Sequence, residues 1–136
     1  SVIGVLASLG FDTVKVHRRP VVAVLSTGDE LVNPGEPITP GKIYDSNSSS
    51  LIGAILQSGG IPKYVGIARD NLNSVKDILT HAMDSDLVIS SAGVSKGDYD
   101  MVKQALDESG DLDFWSVRMR PAKPLAFGLL NRGDNR

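Results

Sequence analysis

The sequence predicts an α/β fold of three layers, with a mostly parallel sheet and helices on both faces. Three observations predict it. Short apolar runs rich in β-branched residues alternate along the chain with segments whose apolar residues recur at helical spacing. Most of these runs close on Gly, Ser, Thr, Asp or Arg, the residue types of a turn or a ligand rim. The length, 136 residues with 41% hydrophobic and 22% charged, suits one domain rather than two.

Taken in order, Ser1 to Leu9 spaces Val2, Val5, Leu6 and Leu9 as a helix that stops at Gly10. Residues 10–19 read as a linker, so residues 1–19 are assigned to a helix and linker from a preceding region and 20–136 to the domain proper. Val21 to Leu25 is a buried strand, closed by Ser-Thr-Gly. Residues 28–45, with Pro34, Gly35, Pro37, Pro40 and Gly41, read as loop. Asp45-Ser46 is a good cap for a helix that stripes Leu51, Ile52, Ile55 and Leu56 and stops at Gly59-Gly60. Tyr64 to Ala68 is the second strand. Val75, Ile78, Leu79, Ala82 and Met83 form an amphipathic helix, and Leu87 to Ser91 is the third strand. Val102, Ala105 and Leu106 mark another helix, ending at Gly110. Phe114 to Met119 and Leu125 to Leu130 are read as the last two strands. The polar tail follows a strand where an α/β domain ordinarily closes with a helix, so the domain reads as truncated at its C-terminus.

Composition excludes several classes. The net charge of -2 argues against a generally basic nucleic-acid binder. No cysteine is present, which excludes disulfides, thiolate metal sites and a cysteine nucleophile and fits a reducing, cytoplasmic setting. The apolar runs are too short to span a membrane.

Ligands of open α/β sheets bind outside the carboxyl ends of the strands, and the chemistry of this chain collects there. The first strand ends in Ser26-Thr27-Gly28-Asp29-Glu30 and the second in Arg69-Asp70-Asn71. The third ends in Ser91-Ala92-Gly93-Val94-Ser95-Lys96-Gly97-Asp98-Tyr99-Asp100, the fourth in Arg118-Met119-Arg120-Pro121-Ala122-Lys123-Pro124. Gly93-Val94-Ser95-Lys96-Gly97 matches a nucleophile elbow literally, but the only histidines, His17 and His81, precede Ser95. A glycine-rich turn that offers free amides to an anion is the better reading. Gly35 to Lys42 resembles a P-loop, with the wrong spacing and Ile43 where a magnesium-binding hydroxyl belongs, and is set aside. Asp29, Glu30, Asp70, Asp98 and Asp100 suit a hard cation such as magnesium, although Asp98 also suits a helix cap. Arg118, Arg120 and Lys123, stiffened by two prolines, suit an oxyanion.

Five ordered motifs carry a resemblance over essentially the whole chain. They are Ser-Thr-Gly-Asp-Glu-Leu (26–31), Tyr-Asp-Ser-Asn (44–47), Gly-Ile-Ala-Arg-Asp (66–70), Ser-Ala-Gly-Val-Ser-Lys-Gly-Asp-Tyr-Asp (91–100) and Arg-Pro-Ala-Lys-Pro-Leu-Ala-Phe-Gly (120–128). The set resembles the molybdopterin-binding domain of the molybdopterin molybdenumtransferases, the MoeA and gephyrin E-domain family. The resemblance implies a MogA-like fold and the last step of molybdenum cofactor synthesis. In that step adenylated molybdopterin and molybdate are the substrates, AMP is cleaved off with the help of a divalent cation, Mg2+ by the family pattern, and molybdenum is left on the dithiolene. It implies catalytic and metal-binding roles for Glu30, Asp70 and Asp100, and substrate binding by Thr27, Gly28, Asp29, Gly93, Val94, Ser95, Gly97 and Asp98. Arg120, Lys123 and Pro124 match the molybdate-side loop. A homodimer of the full-length protein is expected. The chain departs from the family at Ala92 and Ala122, where glycine is usual, and in lacking the Gly-Leu-Pro-Gly-Asn-Pro segment expected after residue 130. Two alternatives stay open: the related adenylyltransferase on the same fold, and a non-enzymatic scaffold domain.

Overall fold

The computed structural model describes residues 1–91, 104, 110–116 and 124–130. In chain order the elements are α1 (Val2–Ser8), β1 (Val21–Thr27), β2 (Leu31–Val32), β3 (Ile43–Tyr44), α2 (Ser46–Gln57), β4 (Ile61–Ala68), α3 (Leu72–Ala82), β5 (Leu87–Ser91), β6 (Gly110–Ser116) and β7 (Pro124–Leu130). β1 is the middle strand of a parallel sheet in the order β4-β1-β5.

The continuous apolar run of β1 is explained by what covers it. Val22 and Val24 point to one face, where they meet Ile55 of α2 with Leu51, Ile52 and Ile89 around them. Ala23 and Leu25 point to the other, where they meet Ala68 and the Val75, Leu79 and Ala82 stripe of α3. A strand covered on both sides has no polar face to keep, so alternation disappears. One helix lies on each face, and the three expected layers are present.

Both helices start on side chains suited to it. Asp45 accepts the Ser48 amide at 3.0 Å and Asn71 accepts the Ser74 amide at 2.8 Å, which satisfies donors that the first turn leaves open. α1 buries none of its residues, and no helix or strand lies between Leu9 and Val21. The chain is then tied to the amino end of the sheet. Arg18 pairs with Asp86, and Arg19 donates to the Gly59 and Gly60 carbonyls just past α2.

Several expectations need correction. The 28–45 loop contains β2 and β3, which pair in parallel. Strands of two residues are too short to leave a periodic signal. β4 begins at Ile61 and takes in Pro62; among the described residues it pairs only with β1, and a sheet edge tolerates a residue without an amide proton. The fourth strand, expected at Phe114–Met119, starts instead at Gly110, with residues 117–119 outside the described set. Gly110 and Asp111 have poor strand propensity, but antiparallel pairing with Leu130 and Leu129 holds them extended. The β6-β7 pair is therefore the antiparallel part of a mostly parallel fold. Of the helix expected around Val102, Ala105 and Leu106, those residues lie outside the described set.

Candidate functional site

The chain order fixes where a ligand belongs. From β1 the chain crosses through α2 to β4 on one side, then returns through α3 to β5 on the other. That reversal makes a crevice at the carboxyl ends of β1 and β5, the usual ligand position in such sheets. The strands end nearly level, with Thr27 opposite Ala68 and Ser26 opposite Ser91.

Beneath the β1/β5 crevice lies a buried polar floor. Ser26, Thr27, Asp45 and Ser48 are all buried. The Ser26 and Ser48 hydroxyls share a hydrogen bond of 2.8 Å, and Asn47 Nδ2 donates to Ser91 Oγ at 3.0 Å. These contacts pin the start of α2 to the ends of two strands. Asp45 anchors the same corner: its amide donates to the Val32 carbonyl at 2.9 Å while Oδ1 caps the helix. Nearby, the Tyr64 hydroxyl donates to Asn33 Oδ1 at 2.7 Å. Its pKa is pushed up, first by burial and then by the negative charge of Asp45 and Glu36.

The β1/β4 side is a second polar cluster. Gly28 sits at φ +148°, a backbone conformation that side-chain-bearing residues rarely adopt, and the Glu30 carboxylate folds back over it, 2.5 Å from where a Cβ would stand. Asp29 and Asp70 are locked reciprocally. The Asp29 amide donates to Asp70 Oδ2 at 3.1 Å, and the Asp70 amide donates to Asp29 Oδ1 at 3.4 Å. Asp70 Oδ1 is buried and has no hydrogen-bond donor. Lys42 Nζ and Arg69 Nη1 both donate to the Asp29 carbonyl oxygen, at 2.5 and 3.3 Å.

Of the residues expected at the site, the fold brings Thr27, Gly28, Asp29, Glu30 and Asp70 to one rim. Thr27 and Gly28 are buried, Glu30 and Asp70 half-buried, and Asp29 exposed. Pro124 opens β7 opposite Ser116. Gly93, Val94, Ser95, Gly97, Asp98, Asp100, Arg118, Arg120 and Lys123 lie outside the described residues. Among the described residues, no three His, Asp or Glu side chains stand together as a metal-binding group. Sequence reasoning had no role for Lys42, Asn47 or Ser48. The signal for Asn47 is the Tyr44-Asp45-Ser46-Asn47 motif, which carries the family resemblance and a helix start but gives no role to the Asn47 side chain.

Residues 23–135 match the family described as "Probable molybdopterin binding domain". The chain belongs to this molybdopterin-binding domain family. A molybdopterin molybdenumtransferase of Nostoc sp. is 46% identical over 125 residues, which are 90% of this chain and 29% of that protein. Gephyrin of Dictyostelium discoideum is 38% identical over 142 residues, 94% of this chain and 20% of that protein. The crystal structure of a molybdopterin biosynthesis moea protein from Pyrococcus horikosii matches with a TM-score of 0.79 at 36% identity. That match covers 93% of this chain and 32% of the other. The chain thus spans about a third or less of these relatives, and the resemblance read from its five motifs holds as membership of the molybdopterin-binding domain family.

Proposed function

We propose that this molybdopterin-binding domain serves the final step of molybdenum cofactor synthesis within a molybdopterin molybdenumtransferase. In that reaction water splits the phosphoanhydride of adenylated molybdopterin, AMP leaves, and the two dithiolene sulfurs take molybdenum from molybdate as their protons and the displaced oxygens leave as water. The observation that carries the reading is the meeting of Gly28, Asp29, Glu30 and Asp70 on one rim of a molybdopterin-binding domain. Binding of the pterin substrate falls to Thr27, Gly28 and Asp29 with the glycine-rich Gly93, Val94, Ser95, Gly97 and Asp98. Arg120, Lys123 and Pro124 receive molybdate.

Glu30, Asp70 and Asp100 would hold a divalent cation, magnesium by its preference for oxygen ligands. The unpartnered, buried Asp70 Oδ1 fits that role, because a carboxylate oxygen without a donor is what a hard cation satisfies. When bound, the cation supplies positive charge to the phosphate oxygens as the anhydride breaks. The chain's own part is to hold Asp70 still through the Asp29 amide and to keep Glu30 folded over Gly28. A cytoplasmic location and a homodimer of a longer protein belong to the same reading. Among the described residues, no helix is long and apolar enough to cross a membrane.

The molybdate assignment has a direct test. Tungstate, a stable mimic, should bind the protein, and Lys123→Ala should weaken that binding about tenfold, the loss of one charge-assisted hydrogen bond. Isothermal titration checks it. Equal affinity in the variant would remove the 120–124 loop from the site.

A further inference from the structure

Lys42 and Arg69 are rim residues to which the proposed reaction gives no role. They reach from different loops to one acceptor, the Asp29 carbonyl oxygen. Two positive heads that share a neutral oxygen repel each other unless a negative group stands close by. The Asp29 and Asp70 carboxylates offset part of that repulsion, but each is turned to a backbone amide of the other loop and neither meets Lys42 or Arg69 in an ion pair. The ion pairs among the described residues are Arg18 with Asp86 and Lys63 with Asp84, so neither Lys42 nor Arg69 enters one. Each head keeps donors to spare: an ammonium carries three and a guanidinium five. Arg69 is exposed and Lys42 half-buried, so those donors are within reach of a solute.

We infer that Lys42 and Arg69 form an oxyanion-binding pair on the β1/β4 side of the rim, suited to a tetrahedral oxyanion. A compact ammonium beside a planar guanidinium fork supplies both charge and direction to such a group. The inference rests on the proposed function for its ligand, which has two possible sources in that reaction: the phosphoryl groups of the adenylated pterin, and molybdate. The shared Asp29 carbonyl fixes both heads, so the pair is set before any ligand arrives.

The test uses the chain with inorganic pyrophosphate and, separately, tungstate, followed by isothermal titration. Lys42→Gln and Arg69→Gln remove the charge but keep a side-chain amide that can donate to the Asp29 carbonyl. Lys42→Arg keeps the charge. Each Gln variant should weaken one of the anions about tenfold, and Lys42→Arg should stay close to the parent. A loss confined to pyrophosphate assigns the pair to the phosphoryl groups; a loss confined to tungstate assigns it to molybdate. Unchanged binding of both anions in both Gln variants, or no binding of either anion by the parent chain, overturns the inference. Circular dichroism of each variant guards against a loss caused by unfolding. Failure of the proposed reaction looks different: a longer protein containing the domain releases no AMP, while anion binding still responds to the Gln variants.

Discussion

Asp70→Asn should slow divalent-cation-dependent AMP release about a hundredfold or more in a protein containing this domain, with the fold retained. The asparagine carbonyl can still accept the Asp29 amide, now held by Asp70 Oδ2 at 3.1 Å. The other position changes from a buried carboxylate oxygen without a donor to an NH2 group, which repels a cation. A donor buried there without an acceptor costs about 1–3 kcal/mol, so the melting temperature must be followed alongside the rate. Asp100→Asn should produce the same loss of AMP release while pterin binding largely survives. Normal AMP release with lowered stability would mean that Asp70 only ties the β1 and β4 loops together.

The second large effect is on stability. Leu25 is 1% exposed and packs within the cluster of Ala23, Ala68, Val75, Leu79 and Ala82 on the α3 face. Leu25→Ala should destabilise the domain by about 3–4 kcal/mol, through lost transfer energy and the cavity left between sheet and helix. That is a large share of the roughly 5–15 kcal/mol that holds an ordinary domain folded. Leu129→Ala is the control: its side chain is 77% exposed, and the change should stay within about 0.5 kcal/mol. Urea unfolding of both variants separates the outcomes. Equal loss in the two would contradict the packing described for β1.

The fold was legible because its signals are local. The stripe of Val75, Leu79 and Ala82 faces the sheet as its spacing implies, and the run Val22 to Leu25 is covered on both faces. The caps Asp45 and Asn71 mark where α2 and α3 begin, although only Asp45 was read as a cap. What escaped depends on pairing between distant residues. β2 and β3 exist because Ile43 and Asp45 donate to the Glu30 and Val32 carbonyls across a long loop. The extension of β6 to Gly110 likewise depends on β7. The site divides in the same way. That Asp29, Glu30 and Asp70 share a rim followed from strand order, whereas the reciprocal lock of Asp29 with Asp70 needed the register of β1 on β4. Lys42 had no signal, because it lies far from Asp29 in sequence and reaches it only through the β2-β3 pairing.

The proposed function turns on the direction of the adenylate chemistry. A longer protein containing this domain would be supplied with adenylated molybdopterin, molybdate and Mg2+, and nucleotide products would be followed by chromatography. AMP release should require both molybdate and the divalent cation, with no ATP consumed. Consumption of ATP with release of pyrophosphate from unadenylated molybdopterin would contradict it and would identify an adenylyltransferase instead.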